Sequence, residues 1–380
     1  MKKNLILVIA LWLFCSCNNK ENEVLHPQPP VVSTKPTFKN LEEIFGFYGQ
    51  SRYSYCPSLV KEEDGTVHMY FCGNPQELNM VDNIYHIRIH PDGTQTPAKS
   101  VLQPGASGSW DDHHTCDPSV IAGKFKMNGI NYKYAMFFLS NPWSAYYNEI
   151  GVAFSNDLDA DSWVKYPTQV VPKTWDYEGD ELLGGGGKSW GVGQPSAFSI
   201  DKEGLILLTY TIGDNSGTRI AWAQLDLSNM DNYQPVNSTK MISAGLTKID
   251  FTSTNWTNNA DFAVDFESNV IVMVRNVHPT PADYPTYLEQ CQEVDYMPFD
   301  DFMQSKGKWT ALFRITPTIT KFPRNHNAGI ERNRYGEIEN WEEPTIYYTV
   351  SLATPNVAPT GTKHAEWTYH IWKGSFKKDD

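Results

Sequence analysis

Residues 111–121 read DDHHTCDPSVI, residues 132–141 read YKYAMFFLSN and residues 148–157 read NEIGVAFSND. The first run passes from polar residues into the apolar pair Val120 and Ile121, and the second is mostly apolar. The third alternates Ile150, Val152 and Phe154 with small or polar residues. Short apolar runs and period-two alternation are strand signals, so this stretch predicts most of an antiparallel sheet. Pro118 fixes the backbone where the first strand begins, which places the Asp117 carboxylate at a strand end, where chemistry is usually sited.

The pattern recurs. Upstream lies SYCPSLVKEEDGTVHMYFCGN (54–74), followed by NIYHIRIHPDG (83–93). Downstream lies GQPSAFSIDKEGLILLTYTIGD (193–214), followed by TRIAWAQLDLSN (218–229). Each unit runs polar residue, proline, serine, apolar strand, glycine turn, second apolar strand, loop and alternating third strand. A fourth unit reads NADFAVDFESNVIVMVRN (259–276), with WTALFRITP (309–317) as its third strand. A fifth reads HNAGIERNRYGEI (326–338), then TIYYTVSLA (345–353) and WTYHIWKG (367–374). The polar residues that start the units are Cys56, Asp117, Gln194, Asp261 and His326 or Asn327. Their spacing of roughly 60–80 residues is too long for common solenoid units and suits a four-stranded sheet with one long loop. A single blade has two open edges and gains stability only when neighbours cover it and the ring closes. The predicted fold is all-β: a five-bladed β-propeller of four-stranded antiparallel blades, with the unit starts converging on one end of a central channel.

Residues 1–17 predict an export segment: Lys2 and Lys3 precede an apolar run from Leu5 to Phe14 that is too short to span a bilayer. Ser16-Cys17 then resembles a bacterial lipoprotein signal, which implies lipidation at Cys17 and attachment to a bacterial membrane on the outer-membrane, periplasmic or cell-surface side. Residues 18–39, with Pro27, Pro29, Pro30 and Pro36 and no apolar period, read as a disordered tether. Residues 40–380 read as one domain, since 40% hydrophobic and 13% aromatic residues suffice for a large core. A formal net charge of −13 argues against a nucleic-acid partner, and 12 Trp and 20 Tyr suit a neutral, sugar-like ligand. Cys56, Cys72, Cys116 and Cys291 are expected as buried thiols rather than a disulfide framework.

The Asp117-Pro118-Ser119-Val120-Ile121 unit, the Tyr134–Phe138 strand and the Ile150–Trp163 run with its Asn156-Asp157 turn resemble the glycoside hydrolases of family 43 and their relatives. The resemblance implies a glycan substrate and, for most members, inversion by one carboxylate that activates water and another that protonates the leaving oxygen. It places the base, a third orienting carboxylate and the acid at Cys56, Asp117 and Gln194, of which only Asp117 carries a carboxyl group. Two readings follow. One is a hydrolase whose acids come from other positions; the other is a glycan-binding propeller that does not cleave.

The candidate replacements are Asp111, Asp112, His113 and His114 beside Asp117, Glu178, Asp180 and Glu181 ahead of the third unit, and Asp261 at the fourth. Relatives of this kind can use a histidine as proton donor, which adds His114. Trp110, Trp143 and Trp190 are candidate stacking residues, with Cys56 and Gln194 lining the substrate site. Gly184–Gly187 reads as a rim loop, because a P-loop spacing and its helix are absent. No cofactor is required by this chemistry. His326 falls where related propellers place a histidine near a central Ca²⁺, so a structural calcium in the channel is a further expectation.

Overall fold

A computed structural model describes residues 36–48, 52–76, 81–143, 147–173, 190–214, 217–235, 240–282, 288–351 and 368–379. The expected export segment with Cys17, most of the tether, Glu178, Asp180, Glu181 and the four-glycine run lie outside the described residues.

The strands form five four-stranded antiparallel sheets. Strand β1, Thr37–Gly46, precedes the first blade. Blade one holds β2 (Tyr53–Lys61), β3 (Val67–Asn74), β4 (Asn83–Ile89) and β5 (Lys99–Leu102). Blade two holds β6 (His114–Met127), β7 (Ile130–Asn141), β8 (Glu149–Ser155) and β9 (Val164–Lys165). Blade three holds β10 (Val192–Ser199), β11 (Leu205–Asp214), β12 (Gly217–Asp226) and β13 (Lys240–Met241). Blade four holds β14 (Asp261–Asp265), β15 (Val270–Asn276), β16 (Gln292–Pro298) and β17 (Thr310–Ile315). Blade five holds β18 (Asn325–Ile330), β19 (Thr345–Ser351) and β20 (Tyr369–Lys377), with β1 as its outermost strand. The innermost strands touch in the cyclic order β2, β6, β10, β14, β18 and back to β2. The fold is the predicted five-bladed propeller.

Three details differ from the sequence expectation. The Trp309 strand is the fourth of its blade, and Gln292–Pro298 is the third. That strand carries Glu293 and Asp295, which are fully buried against Arg275 and Arg314 and so break the apolar pattern. Strand structure begins at Thr37, inside the span expected as tether. Cys72 and Cys116 are joined in a disulfide between β3 and β6, where buried thiols were expected; among the described residues Cys56 and Cys291 are free. The neighbouring blades bring two strands of unrelated sequence position side by side, a proximity that the cysteine spacing does not encode.

The channel is built from a repeated kink. Cys56, Asp117, Gln194, Asn259 and Asn327 all have positive φ, between 43° and 52°. In four blades the kink coincides with a register shift in the first hairpin. Left-handed backbone costs a non-glycine residue about 1–2 kcal/mol, so five copies are sustained only by the surrounding ring. Asp117 thus sits in a bulge three residues inside β6 rather than at its first residue. The blade-four counterpart is Asn259, and Asp261 is two residues further on.

Asp261 instead occupies the serine position of the repeat. Ser58, Ser119 and Ser196 accept backbone N–H groups of Val120, Ala197 and Phe262, each in the next blade, at 3.3, 2.9 and 3.0 Å. Asp261 Oδ2 accepts the N–H of Ile330 at 2.8 Å in the same way. In blade five the position is Gly329, where a Cβ would come 2.0 Å from the Pro57 carbonyl oxygen.

Beneath this ring, residues 331–338 run across the channel. Their carbonyls at Arg332, Arg334, Tyr335 and Gly336 accept N–H groups of Lys61, Ala122, Ser199 and Val264, one from each of the other four blades. Arg332 is buried on the axis; its guanidinium donates to Ser119 and Ser196 and to the Phe262 carbonyl, and lies 3.5 Å from Asp261 Oδ1. The channel therefore opens at one end only.

Candidate functional site

The open end holds a pocket of about 560 Å³ lined by Tyr55, Asp82, His113, His114, Asp117, Trp190, Gln194 and His326, among others. Its depth comes from the kinked residues, which turn their side chains onto the axis, and its rim from loops between blade strands.

Asp117 lies at the base of the pocket. Burial raises its pKa to about 6, opposed by hydrogen bonds from the Cys56 thiol and the Gln194 backbone N–H, and supported by the nearby charge of Asp82. Its Oδ1 stands 3.4 Å from Cys116 Sγ and 3.8 Å from Cys72 Sγ; disulfide sulfurs carry no hydrogen, so these are contacts rather than hydrogen bonds.

Asp82, just before β4, also lines this pocket and carries no motif in the sequence. Its Oδ2 is 3.2 Å from His114 Nδ1 and 3.3 Å from the Tyr55 hydroxyl, while its Oδ1 is buried without a hydrogen-bond partner. His114 Nδ1 is also 3.2 Å from the Asp82 backbone nitrogen. A protonated Nδ1 donates to the carboxylate, and an unprotonated one accepts the amide N–H, so the imidazole has a partner in either state. His113 packs on His114 with ring centroids 3.7 Å apart, and burial lowers its pKa.

The other predicted residues separate into those that reach the pocket and those that do not. Asp111 is buried in an ion pair with Lys165 at 2.5 Å and accepts the Ser109 hydroxyl, away from the pocket. Asp112 accepts the N–H groups of Gly108 and Trp143 at 2.7 and 2.6 Å, which hold its pKa low and mark it as a loop cap. Asp261 lines the narrow channel below, locked between blades. Trp110 stacks on Phe138, whereas Trp190 lines the pocket with its indole N–H buried and without a hydrogen-bond partner. Trp143 is 71% exposed and meets the His113 ring at 4.3 Å, which leaves a free aromatic face near the rim.

Gln194 reaches the pocket but is committed: its amide donates to Asn258 and Asn259, and its oxygen accepts from Thr211 and the Asn259 N–H. Cys56 receives a hydrogen bond from Asn327 Nδ2, and burial and Asp117 push its thiol pKa well up. His326 is held neutral by burial, with a pKa of about 3, and its Nε2 has no hydrogen-bond partner. A calcium ion, with about six to eight oxygen ligands, fits these residues poorly. Of the amides lining the pocket beside His326, the Gln194 oxygen is engaged, whereas Asn327 Oδ1 has no hydrogen-bond partner.

No protein-family model matches the chain, and no curated protein does. Solved structures do match. A family 117 glycoside hydrolase from the marine bacterium Zobellia galactanivorans superposes with a TM-score of 0.60 at 10% identity, covering 92% of this chain and 94% of that one. The chain has the fold of the glycoside hydrolase propellers. An α-L-arabinofuranosidase from Lactobacillus brevis gives 0.59 at 10% identity, covering 90% and 94%. An α-L-arabinofuranosidase from Podospora anserina, in complex with cellotriose, gives 0.54 at 9% identity, covering 91% and 98%. The resemblance to glycoside hydrolase propellers read in the sequence thus holds at the level of fold.

Proposed function

We propose that this protein hydrolyses glycosidic bonds in a polysaccharide or its oligosaccharides, with Asp117 and Asp82 as the reacting carboxyl groups. The observation that carries this reading is that both open onto one closed-bottomed pocket. Asp117, held protonated up to pH about 6 by burial, gives its proton to the leaving oxygen. Asp82, beside His114, takes a proton from the attacking water, and the sugar inverts. The orphaned His326 Nε2, Asn327 Oδ1 and Trp190 N–H supply acceptors and a donor for sugar hydroxyls, and the Asp82 Oδ1 is left to face the attacking water. The cellotriose complex of the Podospora relative supports a glycan ligand. We further propose that Cys17 is lipidated and tethers the propeller to a bacterial membrane; mass spectrometry of the mature N-terminus, finding an unmodified residue there, would exclude it.

The test is reducing-sugar release from a panel of plant and microbial glycans by the purified protein. Wild type is expected to turn over at least one, giving the inverted anomer by NMR. Asp117→Asn and Asp82→Asn should each lower kcat by about 10²-fold or more. A second reading, glycan binding without cleavage, is favoured by Cys56 and the fully hydrogen-bonded Gln194 at the positions where the resemblance expects base and acid. It requires glycan retention on the protein with no sugar released over long incubation.

A further inference from the structure

The sulfur atoms of Cys56, Cys72 and Cys116 and a carboxylate oxygen of Asp117 all lie within 4.8 Å of one another. Hydrolysis has no use for three sulfurs at the floor of a sugar pocket. Two of the sulfurs also have an N–H directed at them, and the third lies against a hydroxyl oxygen whose hydrogen goes to Asp82. Asn327 Nδ2 donates to Cys56, the Asp117 N–H reaches Cys72 Sγ at 2.8 Å, and the Tyr55 hydroxyl stands 3.2 Å from Cys116 Sγ. N–H groups aimed at sulfur stabilise thiolates, the form in which cysteine binds metals. A tetrahedral zinc with Zn–S bonds of about 2.3 Å needs sulfurs about 3.8 Å apart, a separation that lies inside the 4.8 Å cluster and that Cys72 and Cys116 can take up once their bond is opened.

We propose that these four residues form a redox-gated site for a thiophilic divalent ion such as zinc. In the oxidised protein the Cys72–Cys116 bond removes two ligands. A dithiol reductant opens it: the reductant's two thiols lose two electrons and two protons and become its own disulfide, while Cys72 and Cys116 become thiols. The ion then replaces the protons of three thiols, releasing three protons, and the ionised Asp117 completes a Cys₃Asp set. Three sulfurs and one oxygen select zinc, cadmium or cobalt over calcium or magnesium. Loading draws Asp117 away from any glycan, so the same site would silence the pocket above it.

The test titrates the purified full chain with Co²⁺ before and after treatment with a phosphine reductant. Near-UV circular dichroism follows the fold throughout. The expected result is one Co²⁺ per folded chain after reduction, with thiolate-to-cobalt charge transfer in the near ultraviolet and tetrahedral d–d bands, and none before it. Cys56→Ser should cut the charge-transfer intensity by about a third and weaken binding by at least ~10-fold. Asn327→Ala, which keeps all four ligands, should weaken binding less while leaving the band intensity at saturation unchanged. Equal binding by oxidised protein, no bands in reduced folded protein, unfolding on reduction, or a Cys56→Ser spectrum like that of wild type would each overturn the proposal.

Discussion

Asp117 carries a conflict between burial and charge that can be read in stability as well as in rate. Its folded pKa of about 6 lies above the ordinary 3.8, so the native state binds this proton more tightly than the unfolded chain does. The favourable contribution is complete below pH 3.8 and is lost as pH rises through about 6, leaving a deficit of roughly 3 kcal/mol at higher pH. Asp117→Asn removes the charge, and urea unfolding at pH 8 should find the variant more stable than wild type by roughly 1–3 kcal/mol, with the gap closing near pH 4. Activity runs the other way. If Asp117 donates the proton, wild-type kcat should fall about tenfold per pH unit above about 6, and a rate that climbs through that range would assign the donor elsewhere. The motif around Asp117 was visible because proline and serine flank it in three of the units. Asp82 was not, since it stands alone before an ordinary strand and meets His114 only through blade packing. The kink at Asn259 is hidden in the sequence, because Asn259-Ala260-Asp261 lacks the proline that marks it in the first three blades and the nearby Asp261 resembles Asp117 more closely.

Strands whose buried faces are apolar were legible as strands, and the one misplaced in its blade order shows what hides an element. Glu293 and Asp295 on β16 look like solvent-facing residues, yet they are buried because Arg275 and Arg314 on the flanking strands neutralise them. The disulfide was hidden for a similar reason: it depends on which blades adjoin. It closes a loop with a sequence separation of 44 between blades one and two, worth about 4 kcal/mol on loop entropy. The Cys72→Ala/Cys116→Ala double variant should fold and lose about that much in chemical denaturation, less if the denatured chain keeps local structure. At the blade-five junction the tolerance is smaller. Gly329→Ala puts a methyl group onto the Pro57 carbonyl oxygen, backbone against backbone, and should cost about 2 kcal/mol or more, seen as a lower unfolding midpoint with an unchanged slope.

A ring of blades must close twice: around its circumference and along its axis. The circumference closes where β1 pairs with β20, so the two ends of the described chain share one blade. The axis closes at residues 331–338, which no repeat predicts because blade five alone supplies them. Here Arg332 compensates Asp261, the acid that replaces the serine of the first three blades. Arg332→Leu leaves that partly buried carboxylate without its cation, a loss of about 3 kcal/mol, at the low end for breaking an enclosed pair. Asp261→Ser in the same chain removes the stranded charge and restores the residue that holds the next blade's N–H at positions 58, 119 and 196. Adding it should therefore recover at least about half of the loss, a coupling that a double-mutant cycle in urea measures directly. Additive losses from the two substitutions would mean that Arg332 acts through its bonds to Ser119, Ser196 and Phe262, with the axis held by hydrogen bonds rather than by the ion pair.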